Sequence, residues 1–352
     1  MIRSRFGWCC PCLPDFYVAQ IKRLRYYILF FAGVCNKMES ENTIIAFGEI
    51  LWDLLPAGAK LGGAPFNFAY RVNSLGDRGW IVSRLGNDEW GRKAREQAKA
   101  LGMDTRFLQT DDAHPTGVVE IELDAKGQPD YFITPGVAYD HISITEVLLD
   151  AAAIADCICF GTLIQRTDVS RNTLKQVLSN SDCEIKLLDI NLRKQCYTTE
   201  TIVESLQATD ILKLNEDEAL YLCNLFQFSD LSIPAFCERM MEEWNLTHCL
   251  VTLGERGAYA AANAEPVYVP GYRVPLEDSC GSGDAFTAGF IHSLLRGKSV
   301  GECCEMGNAL GAMVAMQSGA TEPIAKEEIQ RFMATEHERI VDARLKNNLI
   351  IK

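Results

Sequence analysis

Apolar and polar positions along this chain repeat with two periods, and the switch between them marks the elements. Thr43–Phe47 is an unbroken apolar, β-branched run closed by Gly48, the pattern of a buried strand. After Gly62-Gly63, residues Phe68, Ala69, Val72 and Leu75 recur at helical spacing, with Gly76 as the stop. Trp80–Leu85 reads as the next strand, and Gly86-Asn87-Asp88 caps a charged helix that runs to Leu101. From Cys157 onward strand and helix patterns alternate: Cys157–Phe160, Val169–Leu178, Ile185–Ile190, Thr201–Gln207, Ile211–Leu214, Glu216–Leu225, Ala235–Trp244 and Cys249–Leu253. Such alternation predicts a three-layer α/β/α fold, a mostly parallel sheet with helices on both faces. One stretch differs. Thr116–Asp124 alternates strictly, Ala125-Lys126-Gly127 supplies a turn, and Tyr131–Thr134 returns, a half-exposed hairpin suited to a lid.

In an open α/β sheet, ligands bind beyond the carboxyl ends of the strands. Polar residues collect there: Asp189, Asn191 and Arg193 after one strand, Lys213, Asn215 and Glu218 after the next, then Thr252, Gly254 and Gly257. The densest chemistry lies in Asp278-Ser279-Cys280-Gly281-Ser282-Gly283-Asp284, where a glycine turn runs into a helical pattern ending near Gly297. Glycines allow successive N–H groups to converge, and a helix N-terminus adds partial positive charge, so this turn suits a phosphoryl group. A carboxylate beside an anion site has a use if it takes a proton, which makes Asp284 the candidate base. A helix-capping aspartate is the plainer account of the same residues.

Charge and cysteines narrow the classes. The chain of 352 residues carries −13 overall; residues 1–37 contribute +5, which leaves −18 for the remainder. So acidic a body is a poor partner for nucleic acid. The 14 cysteines show no paired C-x-x-C spacing after residue 38, which favours reduced thiols and a cytoplasmic location. Lys22, Arg23 and Arg25 precede the apolar run Tyr26–Val34, too short to span a bilayer, so no stable membrane association is expected. Residues 1–38 are expected to stand outside the fold, as an extension upstream of a start at Met38. One domain is expected over 39–345, with lid segments near 51–63 and 105–135 and a tail at 346–352.

Six motifs occur in order: Gly62-Gly63-Ala64-Pro65-x-Asn67, Gly86-Asn87-Asp88-x-x-Gly91, Asp189-x-Asn191-x-Arg193, Asn215-x-x-Glu218, Thr252-x-Gly254-x-x-Gly257, and Asp278 to Asp284. Together they resemble the ribokinase-type (PfkB) carbohydrate kinases over about residues 43–324. Gly48-Glu49-Ile50-Leu51-Trp52-Asp53 resembles the family's fructokinase branch, particularly the bacterial form. The resemblance implies an ATP- and Mg²⁺-dependent kinase acting on a primary hydroxyl of a sugar, D-fructose first, and leaves a homodimer open. It places Asp53, Gly62, Gly63, Asn67 and Arg193 on the sugar. Lys213, Asn215, Thr252, Gly254, Gly257, Gly283 and Asn308 fall to ATP, and Gly281, Ser282, Gly283 and Asp284 to catalysis. It further implies Glu218 on Mg²⁺ through water, and a potassium-type site at Asp278 with backbone carbonyls near Gly319 and Ala320. Ser279 and Ser282 depart from the family's usual Thr and Ala. Kinases of 2-keto-3-deoxygluconate, ribose or nucleosides, and a silent sugar-binding protein on the same fold, are the alternatives.

Overall fold

The computed structural model describes residues 41–55, 58–123, 129–229, 232–262 and 266–348. The expected extension 1–38, the hairpin turn Ala125-Lys126-Gly127 and the end of the tail lie outside the described residues.

Fifteen strands and ten α-helices are described. In chain order the strands are β1 (Thr43–Phe47), β2 (Leu51–Leu55), β3 (Gly58–Gly62), β4 (Arg78–Gly86), β5 (Leu108–Asp111), β6 (Gly117–Leu123), β7 (Pro129–Ile133) and β8 (Cys157–Phe160). They continue with β9 (Ile185–Asp189), β10 (Ile211–Asn215), β11 (His248–Thr252), β12 (Ala258–Ala262), β13 (Val267–Val269), β14 (Gly271–Tyr272) and β15 (Arg339–Ile340). The helices are α1 (Ala64–Ser74), α2 (Glu89–Ala100), α3 (Glu146–Ile154), α4 (Asp168–Ser179), α5 (Thr199–Gln207), α6 (Glu216–Leu225), α7 (Ile233–Trp244), α8 (Ser282–Leu294), α9 (Val300–Ala315) and α10 (Lys326–Ala334).

Nine strands form one sheet in the order β13-β12-β11-β10-β9-β8-β1-β4-β5. From β5 to β11 every pairing is parallel; β12 and β13 add antiparallel at one edge. Alternate side chains of β1 divide between two cores. Ile45 and Phe47 join Phe160, Leu188, Leu212 and Val251 on one face, beneath α4–α7. Ile44 and Ala46 join Ile81, Cys159, Leu187 and Leu250 on the other, with α1, α8 and α9. Burial on both faces is why these strands read as solid apolar runs.

The expected lid is larger than a hairpin and is drawn partly from other residues. β6 and β7 pair antiparallel as anticipated, but β2 pairs with both β6 and β3, giving a four-stranded sheet β3-β2-β6-β7. Gly58–Gly62, within the expected lid segment 51–63, is therefore a strand. Gly58 and Gly62 sit at the ends of that strand, where their turn-like composition masks it. Leu108–Asp111, within the segment 105–135 assigned to the lid, instead pairs with β4 at the edge of the large sheet. Its polar middle, Gln109 and Thr110, gives no apolar run to read.

Candidate active site

The site forms where α8 begins. Gly281, at φ +76°, is the residue before the helix; a Cβ there would fall 2.3 Å from the Ala320 Cβ, so the close approach and the backbone both require glycine. Gly283 lies in the first turn over the ammonium of Lys213, which would stand 3.2 Å from an added Cβ. First-turn N–H groups have no acceptor inside their own helix and point out of its end. The Ser282 hydroxyl oxygen is buried there without a partner.

Asp284 follows in the same turn. Its Oδ2 accepts a 2.9 Å hydrogen bond from Asn67 Nδ2, which joins α8 to α1 across 217 residues of sequence. Asn67 Oδ1 is buried and unpartnered. Burial, then the neighbouring Asp189 carboxylate, pushes the Asp284 carboxyl up to about 6, against the pull of Asn67, Lys213 and Arg193. It is ionised at neutral pH yet close enough to neutrality to hold a proton transiently.

Around this pair lie the residues that the motifs assign to the sugar. Asp53 on β2 lies opposite Lys60 on β3, and its Oδ2 would be 2.8 Å from a Cβ at Gly62. Arg193 is exposed and near enough to draw down the carboxyls of Asp53, Asp284 and Glu49. Gly63, at φ +111°, has no space for a side chain, since a Cβ would meet the Glu49 carbonyl oxygen at 2.5 Å.

Glu49 is the principal residue that the motif assignment misses. Its Oε1 accepts from Ala64 N at 3.2 Å, and burial pushes its carboxyl up to about 7. Glu49, Thr162, Asp189, Asn191 and Asp284 line a cavity of about 20 Å³, room for about one water. The Gly48-Glu49 dipeptide was the signal, although a glutamate before a strand is ordinarily a surface residue. Asp189 opens a motif but was assigned no role, and Thr287 was missed. Asp189 accepts from Lys213 Nζ at 3.0 Å on both oxygens and from Thr287 Oγ1 at 3.0 Å. Lys213 is thus a buried partner of Asp189 under the glycine turn.

On the other side, the residues assigned to nucleotide are held by protein. Asn215 caps α6: its Oδ1 accepts from Glu218 N at 2.9 Å. Glu218 in return accepts from Asn215 N and Leu192 N, both at 2.8 Å, one on each oxygen. A metal-bound water would share oxygens already engaged. Asn308 Nδ2 donates to Val269 O at 3.0 Å and to Pro270 O at 3.4 Å. Thr252 lies beside Asn215 in the sheet and donates to Leu214 O at 3.4 Å. Gly254 (φ +58°) and Gly257 (φ +91°) shape the loop after β11; a Cβ at Gly257 would be 2.1 Å from Val269 O.

Part of the expected potassium-type site is already engaged by the protein. Ala320 O accepts from Arg71 Nε at 3.0 Å and Nη2 at 2.6 Å, which uses both carbonyl lone pairs. Asp278 Oδ2 is 3.5 Å from Lys60 Nζ, and Oδ1 accepts from Cys280 N at 2.9 Å.

A glycine turn opening a helix, a buried carboxylate inside it and an amide from the first glycine-led helix define a phosphotransferase-type site on an α/β/α scaffold. The chain belongs to the pfkB family of carbohydrate kinases, whose model matches residues 57–327. It is 28% identical over 311 residues to a sugar kinase of Pyrococcus horikoshii, covering 82% of this chain and 95% of that protein. The solved structure of that protein, described as an uncharacterized sugar kinase, superposes with a TM-score of 0.70 and covers 97% of its chain. Fructokinase-1 of Oryza sativa is 26% identical, with 83% and 98% of the two chains covered. A Vibrio cholerae fructokinase double mutant, solved with fructose, ADP and potassium ion, superposes with a TM-score of 0.72 at 21% identity, covering 84% of this chain and 100% of that one. Among the described residues no helix is long and apolar enough to cross a membrane.

Proposed function

We propose that this chain transfers the γ-phosphoryl group of ATP to a primary hydroxyl of a sugar, D-fructose first, forming fructose 6-phosphate. The observation that carries the reading is the contact between Asn67 Nδ2 and Asp284 Oδ2, because it sets the sugar helix against the carboxylate of the anion turn. Asn67 Oδ1 and Ser282 Oγ, buried and unpartnered on either side of that contact, are polar atoms that a bound sugar and phosphate would satisfy.

Phosphoryl transfer asks for alignment and charge stabilisation more than for covalent help. Asp53 and Asn67 offer a carboxylate and an amide, which match hydroxyls that both donate and accept. Asp284 takes the proton of the attacking hydroxyl as the bond to phosphorus forms, since such a hydroxyl is far too weakly acidic to ionise unaided. The first-turn amides of α8 receive the charge on the phosphoryl oxygens, and Arg193 adds a fixed positive charge at the mouth. Mg²⁺ arriving with the nucleotide would supply further charge neutralisation, with Glu218 reaching only its waters. The similarity to fructokinases and the Gly48-Glu49-Ile50-Leu51-Trp52-Asp53 stretch support fructose as acceptor.

A panel of sugars and nucleosides with ATP and Mg²⁺, read by ADP release, tests this. Fructose should give the highest kcat/KM. Preference for ribose, adenosine or 2-keto-3-deoxygluconate by about tenfold, roughly 1.4 kcal/mol of discrimination, would assign the chain to another sugar. No ADP release with any acceptor in the panel would point to a silent sugar-binding protein on the same fold.

A further inference from the structure

The corner beneath the anion turn is already charged by the protein. Arg71 lies one helical turn beyond Asn67 on α1 and has no exposed surface. Its two hydrogen bonds fill the Ala320 carbonyl, and Ala320 lies against Gly281, the residue on which the turn into α8 pivots. Thus α1 grips the anion turn twice, through Asn67 to Asp284 and through Arg71 to Ala320. Burial draws Arg71 down to about 10, so it remains fully charged at neutral pH. Across the same corner Lys60 of β3 donates to Ser318 Oγ at 3.1 Å and faces Asp278 at 3.5 Å. An added monovalent cation would meet a guanidinium on one of its oxygens and an ammonium on the other. A further positive charge is repelled most strongly beside the buried Arg71, and less at Lys60, whose side chain is 40% exposed.

We propose that Arg71 and Lys60 are the resident cations of this corner, so that phosphoryl transfer by this chain needs no monovalent metal ion. Arg71 acts through Ala320 and Gly281, which makes it a positioning residue for the amides of α8. The proposal rests on the kinase reading, and its test is chosen to fail separately from that reading.

Turnover is compared in potassium, sodium and tetramethylammonium chlorides at equal ionic strength, with nucleotide and sugar free of alkali metal. The expected result is the same kcat in all three, within about twofold; stimulation by potassium of about tenfold or more overturns the proposal. Binding is read independently of activity by thallium NMR and by melting temperature in potassium against tetramethylammonium. No specific thallium signal and no potassium-specific rise are expected, and a saturable signal overturns the proposal even if no sugar in the panel is phosphorylated. Arg71→Met should lower kcat about tenfold or more with little change in sugar KM, and guanidinium should restore part of the loss. Wild-type kcat in a folded Arg71→Met protein contradicts the positioning role. Should that variant fail to fold, Lys60→Met, at a half-exposed position, carries the test: potassium should now stimulate it, and continued indifference to potassium with wild-type kcat contradicts a role for Lys60.

Discussion

The two sides of the site are built on opposite principles. On the acceptor side, side chains are left with bonding capacity: Asn67 Oδ1 and Ser282 Oγ have no partner, and Glu49 and Asp284 are carboxyls lifted by burial. On the donor side, side chains are engaged by the protein itself. Asn215 and Glu218 cap each other, Asn308 holds two carbonyls, and Arg256 pairs with Glu216 and Asp342. What remains there for a ligand is main chain, shaped by Gly254 and Gly257 at positive φ. On the proposed reading, side chains do the chemistry and read the acceptor, while backbone geometry shapes the nucleotide's place.

Three substitutions sharpen that contrast, in falling order of effect. Asp284→Asn keeps size and the Asn67 contact region but removes the proton acceptor; no cap is lost, because Gly281 is the N-cap and the helix has no side-chain cap bond. Turnover should fall about 10²–10⁴-fold, with fructose and ATP binding and melting temperature changing little. Retention of more than about a tenth of wild-type kcat would place the base elsewhere, and loss of the fold would make Asp284 a structural residue. Gly257→Ala attacks the donor side through shape alone. Its Cβ has no space beside Val269 O, so the KM for ATP should rise about tenfold or more while the KM for fructose stays near wild type. Equal changes in both constants would erase the division between the two sides. The smallest kinetic effect belongs to Asn308→Ala. It removes the side-chain donor to the buried Val269 carbonyl, while Pro270 O keeps Arg339 Nη1 at 3.2 Å, so stability should drop by about 1–3 kcal/mol while the KM for ATP moves by less than about threefold. A large rise in that KM without loss of stability would return Asn308 to the nucleotide.

The sequence discloses the two sides unequally, for the same reason. Solid apolar runs placed β1, β8, β9, β10 and β11 within a residue or so, because burial on both faces leaves a strong signal. Glycines followed by a helical stripe marked the start of α8 equally well, at Ser282. β3 and β5 were not: one is rich in glycine and the other polar in the middle, and each becomes a strand through its neighbour. Residues that act through partners were hidden too. Thr287 and Arg71 are ordinary polar residues until folding sets them beside Asp189 and Ala320. An arginine on the stripe after Asn67 was the one visible anomaly. The motif pair Asn215 and Glu218 reads identically whether it caps a helix or meets a metal's waters, and only the hydrogen bonds show the cap.

The claim on which the rest depends is that Asp284 must be ionised to accept a proton, and the wild-type pH profile of kcat/KM tests it without any substitution. Protonation of Asp284 removes the acceptor, so activity should be lost as pH falls and should approach a tenfold drop per pH unit below about 6. Glu49 titrates nearby, at about 7, so the profile is repeated in Glu49→Gln, where the limb near 6 should remain. A folded wild-type protein whose kcat/KM stays flat down to about pH 5, or a limb that vanishes with Glu49, would contradict the assignment of Asp284 as the base.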